Sequence, residues 1–195
     1  MECVKLDNLN LYLAVNNQLE TKRLRLRPIT LADAADMFEY ASIESNTYYV
    51  FNKHQTIEDT QFSIANYFMA SPLGKYAIEL KEEKKMIGTI DLRVDMKKRK
   101  AELGYVLNHA YFKKGYATEA ASKLVEFAFE TLELEKVTAT CDSRNTGSEA
   151  VMKRLGMQQE GRSRHHEIWK NGEWIDMLYY SVLKDEYFSH KNSEA

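Results

Sequence analysis

The sequence contains few of the residues that cross-link small proteins or break regular structure. Only 2 Cys and 2 Pro occur among 195 residues, and Cys3 and Cys141 lie far apart without a Cys-x-x-Cys motif or a Cys/His cluster. This spacing excludes a disulfide framework and a cysteine-based zinc site, so we expect no metal. Two isolated cysteines are typical of the reducing cytosol, and we expect a cytoplasmic protein.

A strong charge of one sign and long apolar runs are also missing. Lys and Arg number 27 against 29 Asp and Glu, a net charge of −2, which argues against a protein that depends on nucleic-acid phosphates. No apolar run reaches the roughly 18 residues of a membrane span, and we expect neither a membrane anchor nor a secretory signal. The remaining composition, with 44 % hydrophobic and 29 % charged residues, is typical of one packed globular domain.

Hydrophobic periodicity in the first half of the chain predicts strands and helices in turn. Arginine and leucine alternate from Arg23 to Arg27 before Pro28, which predicts a strand with one apolar face. Thr30 and Thr56 each precede an acidic residue by three positions and predict the starts of two helices. Strands are then predicted over 76–80, 86–94 and 101–107 as an antiparallel meander with charged turns.

The second half of the chain predicts a crossover between two parallel strands. A broad apolar face predicts a helix over 117–132, and a short β-branched strand follows over 136–141. Because a strand also precedes this helix, we expect a parallel strand pair joined by a right-handed crossover. A short helix over 147–155, closed by Gly156, and a hairpin around Asn171-Gly172 between strands 162–169 and 173–183 complete the pattern.

The two ends of the chain are less regular. Leu9, Leu11 and Leu13 alternate with other residues, which indicates an added edge strand, an arm onto a partner or a loose leader. The tail from Glu186 is polar, and we expect it to be loose. We therefore divide the chain into an N-terminal extension (1–19), one domain (20–185) and a C-terminal tail (186–195).

A basic run and a pair of adjacent histidines stand out in the sequence, and both are interpreted as structural or surface features. The basic run from Lys97 to Lys100 lies in a predicted turn without interleaved aromatic residues, so a solvated turn is favoured over a nucleic-acid patch. His165 and His166 are adjacent on a predicted strand, so their rings point to opposite faces and chelate one metal poorly. We therefore expect neither nucleic acid nor metal as a ligand.

The segment between the predicted strand at 101–107 and the following helix carries the strongest chemical signal. A loop with Gly115 leads into the helix, whose first turn exposes unpaired N–H groups at the positive end of the helix dipole. Such a turn is suited to phosphate or pyrophosphate, with Gly115 allowing close approach and Lys113 and Lys114 adding charge. A single glycine before a helix is equally typical of an ordinary turn. The loop has neither the Walker A pattern nor a dinucleotide fingerprint.

Six segments together form a pattern that is specific in its order and spacing. They are Glu20 to Pro28, Met86 to Ile90, Ala101 to Tyr105, Gly115 to Ala120, Asn145 to Gly156 and Asn171 to Trp174. The pattern resembles the GNAT acetyltransferases and, within them, the ribosomal-protein N-acetyltransferases of the RimJ/RimL type. The resemblance runs from about residue 19 to residue 183.

This resemblance implies a fold and a co-substrate. The implied fold is α/β (α+β), with a central, mostly antiparallel mixed sheet that is splayed after its fourth strand and flanked by helices. Acetyl-CoA would lie in the splay, without a metal. The resemblance places the pyrophosphate on Lys113, Lys114, Gly115, Tyr116, Ala117 and Thr118, and the pantetheine arm and thioester on the main chain of Tyr105, Val106, Leu107 and Asn108.

The sequence departs from the family pattern at the position of the general acid. Many GNAT enzymes have a tyrosine seven residues after Asn145, whereas this chain has Met152, which cannot donate a proton. The resemblance to the RimL-like branch makes Ser148 the candidate acid and places it with Asn145 near the thioester sulfur. Asn145 is also suited to capping the helix, and the two roles are compatible. Phe112 stands where the general pattern has Gln or Arg.

The implied reaction is direct transfer of the acetyl group to an amine. Glu102 matches the position of the general base in GNAT histone acetyltransferases, although a strand glutamate also serves as a surface or ion-pair residue. An amide N–H at Val106 or Leu107 would stabilise the oxyanion. The favoured acceptor is the N-terminal amine of a ribosomal or other protein. The alternatives are a small-molecule amine, such as a polyamine or aminoglycoside, and a non-catalytic acyl-CoA sensor; a homodimer assembled through residues 1–19 is a further expectation.

Overall fold

One sheet carries the site in this protein, whose computed structural model describes residues 8–193. Its strands are β1 (Leu19–Glu20), β2 (Leu24–Arg27), β3 (Lys75–Leu80), β4 (Lys85–Asp95), β5 (Lys100–Leu107), β6 (Lys136–Asp142), β7 (Gln158–Ile168) and β8 (Trp174–Leu183). They lie side by side in the order β1-β2-β3-β4-β5-β6-β8-β7. Only the β5–β6 pair among these neighbours is parallel.

Helices pack on both faces of this sheet. They are α1 (Leu9–Val15), α2 (Ala34–Ala41), α3 (Glu44–Thr47), α4 (Ile57–Ser63), α5 (Tyr116–Glu126), α6 (Thr146–Arg154) and α7 (Lys184–Ser193). Successive residues of β3 show the two layers, because Tyr76 and Ile78 pack with α5 whereas Ala77 packs with α2. No helix within 8–193 is both long enough and apolar enough to cross a bilayer.

The predicted strand before Pro28 is confirmed. Leu24 and Leu26 are fully buried. Arg25 and Arg27, which alternate with them, face the other side of the sheet, where both pair with Glu79. This alternation explains why an Arg-Leu repeat forms a strand next to a charged layer. The Thr30 N–H donates to Asp33 at 2.8 Å at the start of the helical turn that leads into α2.

The central meander and the crossover are also as predicted. After β3, β4 and β5, the helix α5 continues in a wider turn to Thr131 and leads into β6. The predicted hairpin is confirmed, with Gly172 at φ 81° and the Trp169 N–H donating to the Glu173 carbonyl. The strands β5 and β6 pair only from Lys100–Glu102 to Lys136–Thr138 and then diverge, so the sheet is splayed after the fourth strand counted from β2.

The prediction of an edge strand over Leu9, Leu11 and Leu13 is wrong. These residues lie in α1, where Leu13 is buried, Leu9 packs beside it and Leu11 is 60 % exposed. The apolar contacts of Leu9, Tyr12 and Leu13 follow the helical spacing of three and four rather than the strand spacing of two. Residues 1–7 of the predicted extension, including Cys3, lie outside the described residues.

The prediction of a loose tail from Glu186 is also wrong. Residues 184–193 form α7, and Tyr187 and Phe188 pack against the core. The Tyr187 ring lies 5.2 Å from the Phe129 ring. The Leu183 N–H donates to Glu186 at 2.9 Å, so an acidic residue stabilises the first turn. Two aromatic residues in a polar segment were sufficient to fix it to the domain.

Candidate active site

The gap between β5 and β6 exposes a row of main-chain groups. On one side of β5, the Asn108 N–H donates to the Ile87 carbonyl of β4. On the other side, which faces β6, the Arg99 carbonyl accepts from the Glu135 N–H. Because main-chain groups alternate along an antiparallel strand, the amides of Tyr105 and Leu107 face the gap and that of Val106 faces β4. The Leu107 carbonyl accepts from Asn46 Nδ2 at 3.0 Å, which fixes the end of β5.

Past the end of β5, the loop into α5 has a run of main-chain amides without acceptors in the described part of the chain. The amide N–H groups from Lys113 to Thr118 have no hydrogen-bond acceptor within 8–193, and the helical bonding begins with Glu119 N–H to the Gly115 carbonyl at 2.9 Å. Lys113 and Gly115 both have positive φ, 60° and 81°. Such a turn followed by a helix start directs its N–H groups towards one point, where phosphate oxygens bind favourably.

On the other side of the gap, the start of α6 brings Asn145 and Ser148 close to Tyr105 of β5, which lies 43 positions before Ser148. Asn145 Oδ1 accepts from the Ser148 N–H at 3.1 Å and caps the helix. Tyr105 Oη lies 2.9 Å from Ser148 Oγ and 3.0 Å from the Ser148 carbonyl oxygen. Burial raises the pKa of Tyr105 to about 12, although its bond to Ser148 lowers it. The phenol therefore stays protonated at neutral pH. Met152 is fully buried in the core.

Glu102 lies on the opposite face of β5 and is part of an ion-pair network. Its Oε1 is 3.1 Å from Arg93 Nη2, and its side chain is 45 % exposed. Arg93 also contacts the buried Asp91, which accepts from the Tyr67 hydroxyl at 2.9 Å. Burial raises the pKa of Asp91, against the lowering effect of Arg93. A Cβ at Gly104 would lie 2.7 Å from Asp91 Oδ1, so this glycine makes room for the network.

A cavity of about 440 Å³ opens on this face, at the point where β5 and β6 diverge. Its charged lining is balanced, with two lysines, Lys100 and Lys136, against two glutamates, Glu102 and Glu160. Both glutamates are paired, Glu160 with Lys136 at 2.5 Å and Glu102 with Arg93. The polar remainder is Thr138, Thr140, His166, Tyr179 and Tyr180. Glu102 and Thr138, the last paired residues before the gap, both line the cavity.

The β7–β8 hairpin closes the outer side of this region. An irregularity between Ser163 and Glu167 interrupts the pairing, and His165 has a positive φ of 49°. His165 stacks on Trp174 at 5.5 Å, whereas His166 Nδ1 lies 3.4 Å from Tyr179 Oη on the cavity side. The two histidines therefore contact different partners. No cluster of three or more His, Cys, Asp or Glu able to hold a metal occurs within 8–193.

Sequence reasoning missed the contacts that close the site from outside. Trp169 Nε1 donates to the Tyr48 carbonyl at 2.8 Å and so joins the hairpin to the segment after α3. Arg144 stands 5.8 Å from the Tyr48 ring and pairs with Asp142 at 2.7 Å. The aromatic residues around Tyr48 were visible in the sequence, but nothing there indicated which distant strand they would meet.

Comparison with known proteins is consistent with this geometry. The family model described as "Acetyltransferase (GNAT) domain" matches residues 23–158. The chain belongs to the GNAT acetyltransferases. A solved GNAT acetyltransferase from Bacillus anthracis superposes with a TM-score of 0.78 at 30 % identity, covering 86 % of this chain and 99 % of that one.

Two relatives with named acceptors align over shorter stretches. "Putative ribosomal N-acetyltransferase YdaF" from Bacillus subtilis is 39 % identical over 107 residues, 54 % of this chain and 58 % of that protein. "Spermidine N(1)-acetyltransferase" from Escherichia coli is 27 % identical over 119 residues, 60 % of this chain and 62 % of that protein. The enzyme class of the GNAT protein is thus N-acetyltransferase, and acetyl-CoA is the co-substrate of its family. The free loop amides and the open edge of β5 fit that co-substrate.

Proposed function

We propose that this GNAT protein transfers the acetyl group of acetyl-CoA to the N-terminal amine of a protein, with ribosomal proteins as the favoured class. The observation that carries the proposal is the charge-balanced cavity at the divergence of β5 and β6. It lies where an acceptor would meet a thioester held in the gap. A site of a few hundred Å³ with a few placed polar groups is typical of small-ligand or peptide-end recognition.

On the co-substrate side, the loop amides from Lys113 to Thr118 would bind the pyrophosphate, with the charge of Lys113 and Lys114 beside them. The main chain from Tyr105 to Asn108 would hold the pantetheine arm and the thioester. Alternation along β5 favours the Leu107 amide over that of Val106 as the oxyanion donor, because only the former faces the gap.

The leaving thiolate would receive a proton from Ser148. Asn145 holds the first turn of α6, and the Tyr105 hydroxyl fixes the Ser148 side chain at 2.9 Å. Because a thiolate is a weakly basic leaving group, the acid contributes less here than in reactions that expel an alkoxide or an amine.

The attacking amine must lose a proton before it reacts. Glu102 lines the cavity and is our proposed base, acting directly or through a water. Arg93 engages its Oε1 and so holds the carboxylate in one orientation. The ion-pair role and the base role are compatible, since a carboxylate has two oxygens.

The charge balance of the cavity favours a protein N-terminus over a polyamine. A polyamine carries several positive charges and is bound best by unpaired carboxylates. Both glutamates of the cavity are paired with a basic side chain, and Lys100 adds a further positive charge. An N-terminal amine brings a single charge that it loses on reaction. The likeness to the spermidine acetyltransferase keeps a polyamine as the second candidate.

Release of CoA, followed by detection of its free thiol, tests the acceptor class. The matched acceptors are a ribosomal N-terminal peptide with a free α-amine, the same peptide with that amine blocked, spermidine and an aminoglycoside. We expect turnover with the free peptide alone. Turnover with spermidine or the aminoglycoside, and not with peptides, would show that the acceptor is a small molecule instead of a protein N-terminus. Binding of acetyl-CoA without turnover on any amine would favour the non-catalytic sensor.

A further inference from the structure

A half-buried carboxylate connects the residues before β2 to the first turn of α5. Glu119 Oε1 accepts from Thr21 Oγ1 at 2.5 Å and from the Arg23 N–H at 2.9 Å, while Oε2 accepts from Arg23 Nε at 2.6 Å. Burial alone would raise the pKa of Glu119, but these hydrogen bonds lower it below its usual value. The carboxylate is therefore charged at neutral pH and holds Arg23 in one orientation.

The same arginine also holds the loop that precedes α5. Arg23 Nη1 donates to the Lys114 carbonyl at 3.0 Å, and its Cζ lies 4.3 Å from the centre of the Tyr116 ring. These contacts join residues more than 90 positions apart in the sequence. The planar guanidinium is thus fixed on three sides, by Glu119, by Lys114 and by Tyr116.

One end of this guanidinium lies beside Gly115 of the loop. Arg23 Nη2 has no hydrogen-bond acceptor among residues 8–193, and it lies 3.4 Å from the position that a Cβ of Gly115 would occupy. The side chain is 41 % exposed. A positively charged donor, preorganised beside the unpaired amides of Lys113 to Thr118, has the chemistry that phosphate oxygens require.

We propose that Arg23 is a phosphate-binding residue of the acetyl-CoA site, which it reaches through Nη2 while Glu119 and Lys114 hold its other donors. The ligand group is a phosphate of acetyl-CoA, with the pyrophosphate on the adjacent loop amides as the nearest one. The inference rests on the proposed placement of that pyrophosphate. It adds a ligand-binding role to the contacts by which this arginine holds the loop.

Calorimetric titration of Arg23→Gln with acetyl-CoA tests the proposal. Because a charge-assisted hydrogen bond would be lost, we expect the Kd to rise about 10- to 100-fold. Arg25→Gln is the matched control, since Arg25 lies two residues further on, in β2, but pairs with Glu20 and Glu79. Its Kd should stay as in the wild type. Arg23→Lys, which keeps the charge without the fork, should lie between the two.

Two ligand analogues separate contact with a phosphate from a collapsed loop. S-acetyl-pantetheine, which lacks the nucleotide and is titrated by NMR line broadening, should bind wild type and Arg23→Gln equally. A loss shared by both ligands would overturn the proposal in favour of loop positioning. With 3′-dephospho-acetyl-CoA the defect should persist if Arg23 contacts the pyrophosphate, and should disappear if it contacts the ribose 3′-phosphate.

An unchanged Kd for acetyl-CoA in both Arg23 variants would also overturn the proposal. A thermal unfolding curve for each variant shows that the binding measurement is made on folded protein. Failure of the wild type to bind acetyl-CoA would instead contradict the proposed function itself. The two failures are therefore distinguishable in one set of titrations.

Discussion

At the scale of single residues, the pair of Tyr105 and Ser148 is the detail that most sharpens the mechanism. The resemblance to the RimL-like acetyltransferases indicated Ser148 as the acid, and it indicated Tyr105 only for its main chain. The structure joins their hydroxyl groups across the gap at 2.9 Å. Tyr105 and Ser148 are 43 residues apart, and their contact depends on how the sheet is splayed. The spacing of residues along the chain does not specify that geometry.

Replacing Ser148 by Ala tests the role of its hydroxyl. We expect kcat to fall about 10-fold, below the roughly 10²- to 10⁴-fold of typical acid–base groups, because the thiolate leaves readily. KM for acetyl-CoA should change little. Steady-state CoA release provides both values, and Ser143→Ala in the preceding turn is the control. Tyr105→Phe should have no additional effect in the Ser148→Ala background; independent, additive losses would argue against the hydroxyl pair.

At the scale of elements, the close approach of β4 and β5 positions the proposed oxyanion donor. A Cβ at Gly88 would lie 2.3 Å from the Val106 carbonyl oxygen and 3.0 Å from the Leu107 Cα. Both are backbone atoms of β5, so relief requires a movement of the strand rather than of a flexible side chain.

Gly88→Ala should therefore destabilise the protein. We expect a loss of about 1–3 kcal/mol in the free energy of unfolding, as for other overpacked sites, measured by urea denaturation. Gly161→Ala is the control, because nothing lies within 4 Å of its Cβ position, and it should fall within about 0.5 kcal/mol of wild type. Equal free energies of unfolding for the two variants would show that β5 can shift at this point at little energetic cost.

The C-terminal helix α7 offers a second test at this scale. Tyr187 packs on Phe129 and donates to Glu130 at 2.5 Å. Tyr187→Ala should cost about 1–2 kcal/mol, because a partly buried aromatic ring and its hydrogen bond are lost. Asn192→Ala, on the exposed end of the helix, should leave the unfolding midpoint unchanged. If the tail were loose, neither substitution would change the unfolding midpoint.

Most elements could be predicted because their patterns were long and regular. The alternation in β2, the apolar face of α5 and the Asn171-Gly172 turn each specify one structure locally. The two ends could not be predicted, because α1 and α7 are short helices that depend on tertiary contacts of Leu13 and Tyr187. In the candidate site, the loop from Lys113 to Thr118 could be predicted from Gly115 and the start of the helix. The roles of Asn46 and Arg23 could not, because they depend on partners distant in sequence.

At the scale of the whole molecule, the carboxylates couple stability to pH. Nine carboxylates within 8–193 have a pKa lowered from the usual value, and one, Asp91, has it raised by burial. Hydrogen bonds or ion pairs to basic and backbone groups lower the pKa in each of the nine, in several cases against the effect of burial. They are Glu20, Asp33, Asp59, Asp95, Glu119, Glu130, Glu149, Glu160 and Asp176.

Lowering the pH should therefore destabilise the protein. A carboxylate with a lowered folded pKa contributes stability above its unfolded pKa and loses it as the pH falls through the folded value. We expect the thermal midpoint to be constant between about pH 6 and 7 and to fall from about pH 4 downwards, near the reference values of Asp and Glu. Calorimetric scans measure it, and Glu119→Gln should reduce the pH dependence. A midpoint that rises on acidification would mean that the buried Asp91 dominates.

The central claim is that the splayed sheet delivers an acetyl group directly from acetyl-CoA to an amine. The most direct measurement follows acetyl-CoA labelled with ¹³C at the acetyl carbonyl by NMR in the presence of the enzyme and a ribosomal N-terminal peptide. Direct transfer predicts that the thioester signal is replaced by an amide signal on the peptide, only when the α-amine is free, and with no label on the enzyme. A thioester signal that persists with every amine, or label that accumulates on the protein, would contradict it.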